Sequence, residues 1–436
     1  MLRPKRRLRT ISLAAVIFFT VSGGPYGLEP LLYNGKDAAL LLLIFTPLCW
    51  DIPSIMMVLE LNSLMPVNGG YYQWVKKALG LRWAFYEGWW TWLYTFFDLA
   101  IYPVLFVQYL GFFYPAILIY KIPVCLLIIW SGASLNVLGI RPLGKITLLL
   151  SAFVIVPFIL LFIMGTQQQH HLVASHISFK GSSFSAIGLA LYTVMWNFIG
   201  WDNATTYAGE VDKPIGSYIK ATATAFAFIF AVYCLAVLTA QHSGIDMSVL
   251  NDKGFPALGD LLGGKWLGGL IALGGMASSF GIYLAVLLSV SRVPKEMADD
   301  KLLPAALNKL HPKYNTPYIS ICLFSLVASV LCIFTFADLL VVDVTLYGAG
   351  LSLEFISLIV LRIKSPLAPR SFKIPLKVPG LIILFLLPVA VLLIALSASI
   401  SSSGIFNAPV LLTIGAIVSA ELGWLLIVFA GRRNKI

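Results

Sequence analysis

Seven carboxylic acids, Asp51, Glu60, Asp98, Asp202, Asp343, Glu354 and Glu421, fall within long apolar stretches of this chain. No lysine or arginine lies well inside those stretches. An ionised acid at the centre of a hydrocarbon layer costs about 3 kcal/mol on insertion scales. Such acids hold a proton or meet a cation brought from outside. A dehydrated ammonium group needs the same company: carboxylates, carbonyls and aromatic faces in exchange for water. Asp98 and Asp202 are the first candidates for that role. Glu29 stands nearer the outer end of its stretch, placed to meet a second amine or to line an entrance. Tyr26, Trp92, Tyr94, Tyr102, Trp196 and Trp201 offer cation–π faces. A buried acid also suits proton carriage, with Asp51 and Glu354 as candidates beside Asp343. Glu60 and Glu421 lie near stretch ends and read as structural. Sodium is the rival ion, with Ser278 and Ser279 as oxygen ligands, although serines in apolar helices usually bond back to their own backbone.

Helix breakers stand where continuous helix would be simpler. Ser22-Gly23-Gly24-Pro25-Tyr26-Gly27 sets a proline among three glycines; proline removes an N–H and glycine weakens the helix. Trp196-Asn197-Phe198-Ile199-Gly200-Trp201-Asp202-Asn203 sets amides, an acid and a glycine in mid-stretch. Interrupted helices at matching places in two halves point to a binding site at mid-membrane, because the freed N–H and C=O groups are available to a solute.

The elements that carry these groups follow from composition. Of the 436 residues, 59% are hydrophobic and 11% charged, against about 25% charged in a soluble domain. The apolar runs do not alternate, which selects spanning helices over a barrel. Twelve spans are expected, at 11–32, 38–62, 84–111, 119–138, 143–164, 184–208, 218–241, 265–290, 316–335, 338–361, 379–399 and 408–430. An even number puts both termini on one side. With a cytoplasmic N-terminus, 25 of the 30 lysines and arginines fall on inner segments; only Lys36, Lys121, Lys180, Lys253 and Lys265 face outward. That asymmetry fixes the orientation. It also explains the net charge of +11 by topology and anionic lipid, without nucleic acid. MLRPKRRLRT reads as a retained cytoplasmic tail. Five cysteines sit singly in apolar runs and read as space-filling thiols. His170, His171 and His176 read as a solvated loop. No phosphate loop, nucleophile triad or zinc motif is present, so no enzyme, cofactor or metal site is expected.

Three motifs resemble the amino acid–polyamine–organocation permeases. They are Glu60-Leu61-Asn62-Ser63-Leu64-Met65-Pro66-Val67-Asn68-Gly69-Gly70-Tyr71; Ser291-Arg292 through Met297-Ala298-Asp299-Asp300 to His311-Pro312-Lys313-Tyr314-Asn315-Thr316-Pro317; and Arg370-Ser371-Phe372-Lys373-Ile374-Pro375. Three more resemble the polyamine-uptake branch of plants and protists and its bacterial relatives: Gly23 to Glu29; Glu87-Gly88 with Asp98 and Tyr102-Pro103-Val104-Leu105-Phe106; and Trp196 to Asn203, ending Ala208-Gly209-Glu210-Val211. The resemblance implies an all-α fold of two inverted five-helix repeats, with helices one and six broken and two helices peripheral. The first repeat would be 11–164, the second 184–361 and the peripheral pair 379–430, with cytoplasmic tails at 1–10 and 431–436. Two departures stand out. The branch has Pro-Glu in helix two, whereas here Ser54 follows Pro53 and Asp51 stands earlier on roughly the same face. Some relatives carry a fifth-helix lysine in place of sodium; spacing puts that position near Val154.

The expected function is secondary active transport in the cell membrane: proton-coupled uptake of polyamines or related cationic amines by alternating access. The alternative is a permease for neutral or cationic amino acids, with sodium as the coupling ion. It would want the first break's N–H groups on the substrate carboxylate, which a polyamine lacks. A nutrient sensor or a channel is the more distant reading. The expected substrate site is Gly23, Gly24, Pro25, Tyr26, Gly27, Glu29, Asp98, Trp196, Asn197, Trp201 and Asp202.

Overall fold

The structure is a computed structural model that describes residues 10–168, 179, 182–210, 214–403 and 408–433. The three loop histidines, Lys180, Val211, Lys213, residues 1–9 and residues 434–436 lie outside the described residues. The described residues are helical, with no strand among them. Every stretch expected to be a span is built of helix.

The first stretch is two pieces, α1 (Thr10–Val21) and α2 (Glu29–Gly35), separated by the Gly/Pro segment. The second is α3 (Ala39–Cys49) and α4 (Asp51–Leu64), joined at Trp50 just after Pro47 inside α3. A short helix, α5 (Gly70–Leu79), leads into α6 (Leu81–Leu110), followed by α7 (Lys121–Val137) and α8 (Ile140–Gln168). The second break follows α9 (Phe184–Trp196); a 3₁₀ turn at Asn203–Glu210 and α10 (Pro214–His242) come next. Beyond them lie α11 (Met247–Lys253), α12 (Phe255–Gly263), α13 (Lys265–Val290), α14 (Val293–Asp299), α15 (Tyr318–Leu331), α16 (Phe336–Lys364), α17 (Val378–Ser403) and α18 (Ala408–Arg433).

Among the described residues, nine segments are long and apolar enough to cross a membrane. Three expected spans fall short of that length, two of them for a physical reason. α1 has 12 residues and α9 has 13 because each stops at a break; α15 has 14.

Burial separates an inner set of helices from an outer one. In α6 and α16, 72% of the apolar window is buried, and in α18 only 17%. α6 and α16 pack against each other, and α13 packs on α6, α8 and α1. α6 and α16 carry Asp98, Asp343 and Glu354. An ionic cluster closes one end. Glu60, fully buried on α4, accepts a bidentate grip from Arg362 of α16, with Nη2 to Oε2 at 2.6 Å. Arg370 Nε stands 3.3 Å away and the Ile374 amide donates at 2.9 Å. Glu421 pairs with Arg82 at 2.7 Å. These are the two acids read as structural. Nearby, Tyr72 and Lys76 of α5 both donate to Asp300, at 2.5 and 2.6 Å, just beyond α14. Cys125 and Cys332 share a small buried cluster with Val104 and Val107.

Candidate functional site

The two breaks meet. In the first, the Ser22 and Gly23 amides both donate to Phe18 O, and Gly24 N–H donates to Ser22 Oγ at 3.0 Å. Gly27 N–H donates to Glu29 Oε2 at 2.8 Å. Gly23, Gly24 and Gly27 all have positive φ, which residues with a Cβ rarely adopt. From the second break, Asn197 Nδ2 donates to Gly27 O at 3.2 Å. Gly200 comes so close to α1 that a Cβ there would stand 2.8 Å from Thr20 O. The Tyr233 hydroxyl lies 2.5 Å from Ser22 Oγ and 3.1 Å from Asn197 O, bridging both breaks.

Asp98 lies at this junction. It is 3% exposed. Its Oδ1 accepts from the Tyr102 hydroxyl at 2.5 Å and from Trp196 Nε1 at 3.4 Å. Both donors are neutral, and Asp98 makes no ion pair among the described residues. A cavity of about 10 Å³ adjoins it, lined by Thr20, Ser22, Tyr94, Asp98, Tyr102, Trp196, Asn197 and Asn203 among others. That space is about one water, so the site is closed in this conformation. Beyond Trp196 opens a vestibule of about 300 Å³, lined by Gly27, Glu29, Tyr33, Gln108, Tyr109 and Phe336 among others. It sits at the C-terminal end of α6 and the N-terminal end of α16, away from Arg82 and Arg362. Trp196 separates the two spaces, edge-on to Phe336 at 5.3 Å and near Tyr102 at 6.1 Å.

The expected site residues divide. Asp98, Trp196 and Asn197 line the closed cavity; Gly27 and Glu29 line the vestibule. Glu29 is also held by Tyr109 Oη at 3.1 Å and Phe255 N–H at 3.3 Å. Tyr26 turns the other way: its hydroxyl donates to Ile271 O at 2.9 Å and its ring packs on Tyr109 and Phe158. Trp201 points to Asp51, with Nε1 to Oδ1 at 3.4 Å. Asp202 does not line the cavity; it accepts from the Tyr347 hydroxyl at 2.8 Å. Pro25, Gly23 and Gly24 shape the turn. Of the serines, Ser279 donates back to Gly275 O at 2.8 Å. Ser278 Oγ is buried without a partner, and a Cβ on Gly23 would come within 2.7 Å of it. Val154 packs against Gly24, so the fifth-helix position expected to matter for sodium does abut the break, and it carries no charge. Residues that sequence reasoning did not place in the site include Thr20, Asn203 and Tyr347, short or aromatic polar groups with no distinguishing spacing.

Broken helices meeting around a buried acid, among segments long and apolar enough to cross a membrane, fit a membrane permease. A family model described as amino acid permease matches residues 8–421, and the chain belongs to that family. It is 32% identical to the polyamine transporter RMV1 of Arabidopsis thaliana over 390 residues, covering 88% of this chain and 79% of the relative. It is 31% identical to the polyamine transporter PUT1 of Oryza sativa subsp. japonica over 399 residues, 90% and 74% of the two chains. The branched-chain amino acid permease BcaP of Bacillus subtilis (strain 168) is 27% identical over 361 residues, 75% of each. The chain is thus a multi-pass membrane transporter, not an enzyme.

Proposed function

We propose that this permease takes up polyamines or related cationic amines across the cell membrane by alternating access, driven by a proton gradient. The observation that carries the substrate class is Asp98: buried at the junction of both breaks, offered only neutral donors, and next to aromatic faces. An ammonium group supplies the missing charge. The first break supports an amine over an amino acid. Its Ser22, Gly23, Gly24 and Gly27 amides already have acceptors, and Glu29 takes the Gly27 N–H that a substrate carboxylate would need. The relatives named as polyamine transporters point the same way. Glu29 in the vestibule suits a second amine of a longer substrate.

In this reading α1, α9 and α15 complete twelve spans with the nine longer segments, arranged as two inverted five-helix repeats plus α17 and α18. Both termini are cytoplasmic, and the vestibule faces outward. A sodium-coupled amino acid permease is the second reading. Ser278, with its free hydroxyl against Gly23, favours it.

The test is uptake into proteoliposomes of labelled putrescine, spermidine, arginine and leucine under imposed proton or sodium gradients. Concentrative uptake of the first two under a proton gradient is expected. Concentration of leucine under sodium would select the second reading, and no concentration of any of the four would refute both.

A further inference from the structure

On the far side of the cavity from the vestibule, three acids from three elements meet. Glu87 precedes Asp98 by eleven residues on α6, so it sits three turns, about 16 Å, nearer the basic end. Glu354 comes from α16, and Asp202 from the second break. Asp202 accepts from Tyr347 of α16, which stands two turns before Glu354 on the same helix face. Glu87 rests on the backbone of Gly350, one turn before Glu354: a Cβ at 350 would stand 2.9 Å from Glu87 Oε1. Exposure of the three is 1%, 1% and 2% for Glu87, Glu354 and Asp202. Donors are scarce. Tyr347 serves Asp202, and the Thr91 hydroxyl stands 3.5 Å from Glu87 Oε1. Glu87 Oε2, Glu354 Oε2 and the Tyr71 hydroxyl are buried with no partner.

Among the described residues, the phenols Tyr71 of α5, Tyr94 of α6 and Tyr347 of α16 also face the triad. Cations on the surrounding elements are turned away. Lys76 pairs with Asp300, Arg82 with Glu421, Lys295 with Asp299 and Arg362 with Glu60. Lys364 donates to Ala78 O and Lys121 to Phe334 O, while Lys77 and Lys265 are exposed. Of the acids on those elements, Asp51 on α4 turns to Trp201, and Glu296 on α14 accepts from Gln73.

We propose that Glu87, Asp202 and Glu354 form the binding site of the coupling proton, separate from the amine site at Asp98. Three carboxylates enclosed with no cation beside them among the described residues repel strongly in a medium of low dielectric. A proton needs no cavity, and the space beside Asp98 includes none of the three. The coupling route is short. Asp202 and Gly200 belong to one break, and both bond the Tyr347 hydroxyl, Gly200 N–H at 3.3 Å. Gly200 also lines the amine cavity. Admitting an amine moves the break, shifts Asp202 from Glu354, and changes the affinity of the triad for its proton. The proton leaves a carboxyl oxygen for water on the basic side.

This inference rests on the proposed amine–proton transport, and two readouts separate them. The first is infrared difference titration of purified protein, which sees protonated carboxyl groups without any substrate. Wild type should show a titrating protonated-carboxyl band that loses amplitude in both Glu87→Gln and Glu354→Gln. An unchanged band in both overturns the triad. The second is transport. Both variants should lose at least tenfold in proton-driven accumulation of putrescine, and the pH dependence should flatten, while gradient-free counterflow stays within about twofold. Glu354→Asp should restore part of the accumulation. Full accumulation in both Gln variants overturns the proposal. Equal loss of counterflow also overturns it, marking a second amine site or a purely structural cluster. A triad band that behaves as expected in a protein that moves no amine refutes the proposed substrate and leaves the proton site standing.

Discussion

Asp98→Asn is the sharpest test of the amine site. The substitution keeps shape and keeps an oxygen that accepts from Tyr102 and Trp196, so both neutral hydrogen bonds survive. Only the charge goes. A hydrogen bond to a charged group is worth about 1.5–3 kcal/mol. At about 1.4 kcal/mol per decade, the dissociation constant for putrescine should rise roughly 10- to 150-fold. The burial of Asp98 at 3% exposure places the loss toward the upper end, because water does not screen the pair. Binding by calorimetry on purified protein reads the affinity directly. Ligand-induced thermal stabilisation provides a second reading, since a ligand at 100 times its dissociation constant adds about 2.7 kcal/mol. That gain should shrink to under about 1.5 kcal/mol in the variant at the same putrescine concentration. The melting point without ligand should barely move. A variant that binds putrescine as wild type does, with its fold intact, refutes the assignment of Asp98 as the cation's partner.

Other substitutions probe the parts around it. Trp196→Leu removes an aromatic face and the Nε1 donor to Asp98; a cation–π contribution of about 1–2 kcal/mol predicts a roughly 5- to 30-fold weaker affinity, checked by the same calorimetry. Gly200→Ala forces a residue with a Cβ to φ +96° and to 2.8 Å from Thr20 O; it should fold but lose most counterflow, and normal counterflow would show that the two breaks need not stay in contact. Ser278→Ala should leave proton-driven putrescine uptake intact; a loss confined to sodium-driven uptake would revive the sodium reading. Glu60→Gln strands Arg362 and Arg370, and breaking a buried pair costs about 3–5 kcal/mol, so the melting temperature and membrane yield should both fall.

What the sequence revealed depended on how local each signal was. Helix breaks are local, since a proline or paired glycines interrupt hydrogen bonding wherever the chain goes, so Gly23 to Gly27 and the Asn197–Gly200 segment could be read directly. An acid in an apolar run is equally local, which is why Asp98 stood out. Side-chain direction at a break is not. The 3.6-residue period stops there, and Tyr26 and Trp201 turn toward Ile271 and Asp51 by tertiary packing alone. Asp202 was visible as an acid, but its neighbours come from α6 and α16. Glu87 stood only within a family motif and not among the buried acids, because it lies near a span end. A usable signal did exist: Glu87 and Asp98 are eleven residues apart, and so are Asp343 and Glu354. Eleven residues make three turns, so each pair shares a face, and two packed antiparallel helices bring the pairs level. The closeness of Cys125 and Cys332 carried no such spacing and needed the fold.

The buried grip on Glu60 bears on how the chain is made. Arg362 lies 302 residues downstream of the acid it neutralises. At a synthesis rate of about 5–20 residues per second, Glu60 waits roughly 15–60 s in the nascent protein before its partner exists. Until then the second span carries a charge that its final surroundings cannot accommodate. The α4 end must therefore linger at the lipid headgroups and dock only when α16 and the Arg370–Ile374 segment arrive. The last large loop to be synthesised becomes the clasp that lets an early span settle, and a ribosome stalled before residue 362 should leave that span open to surface labelling.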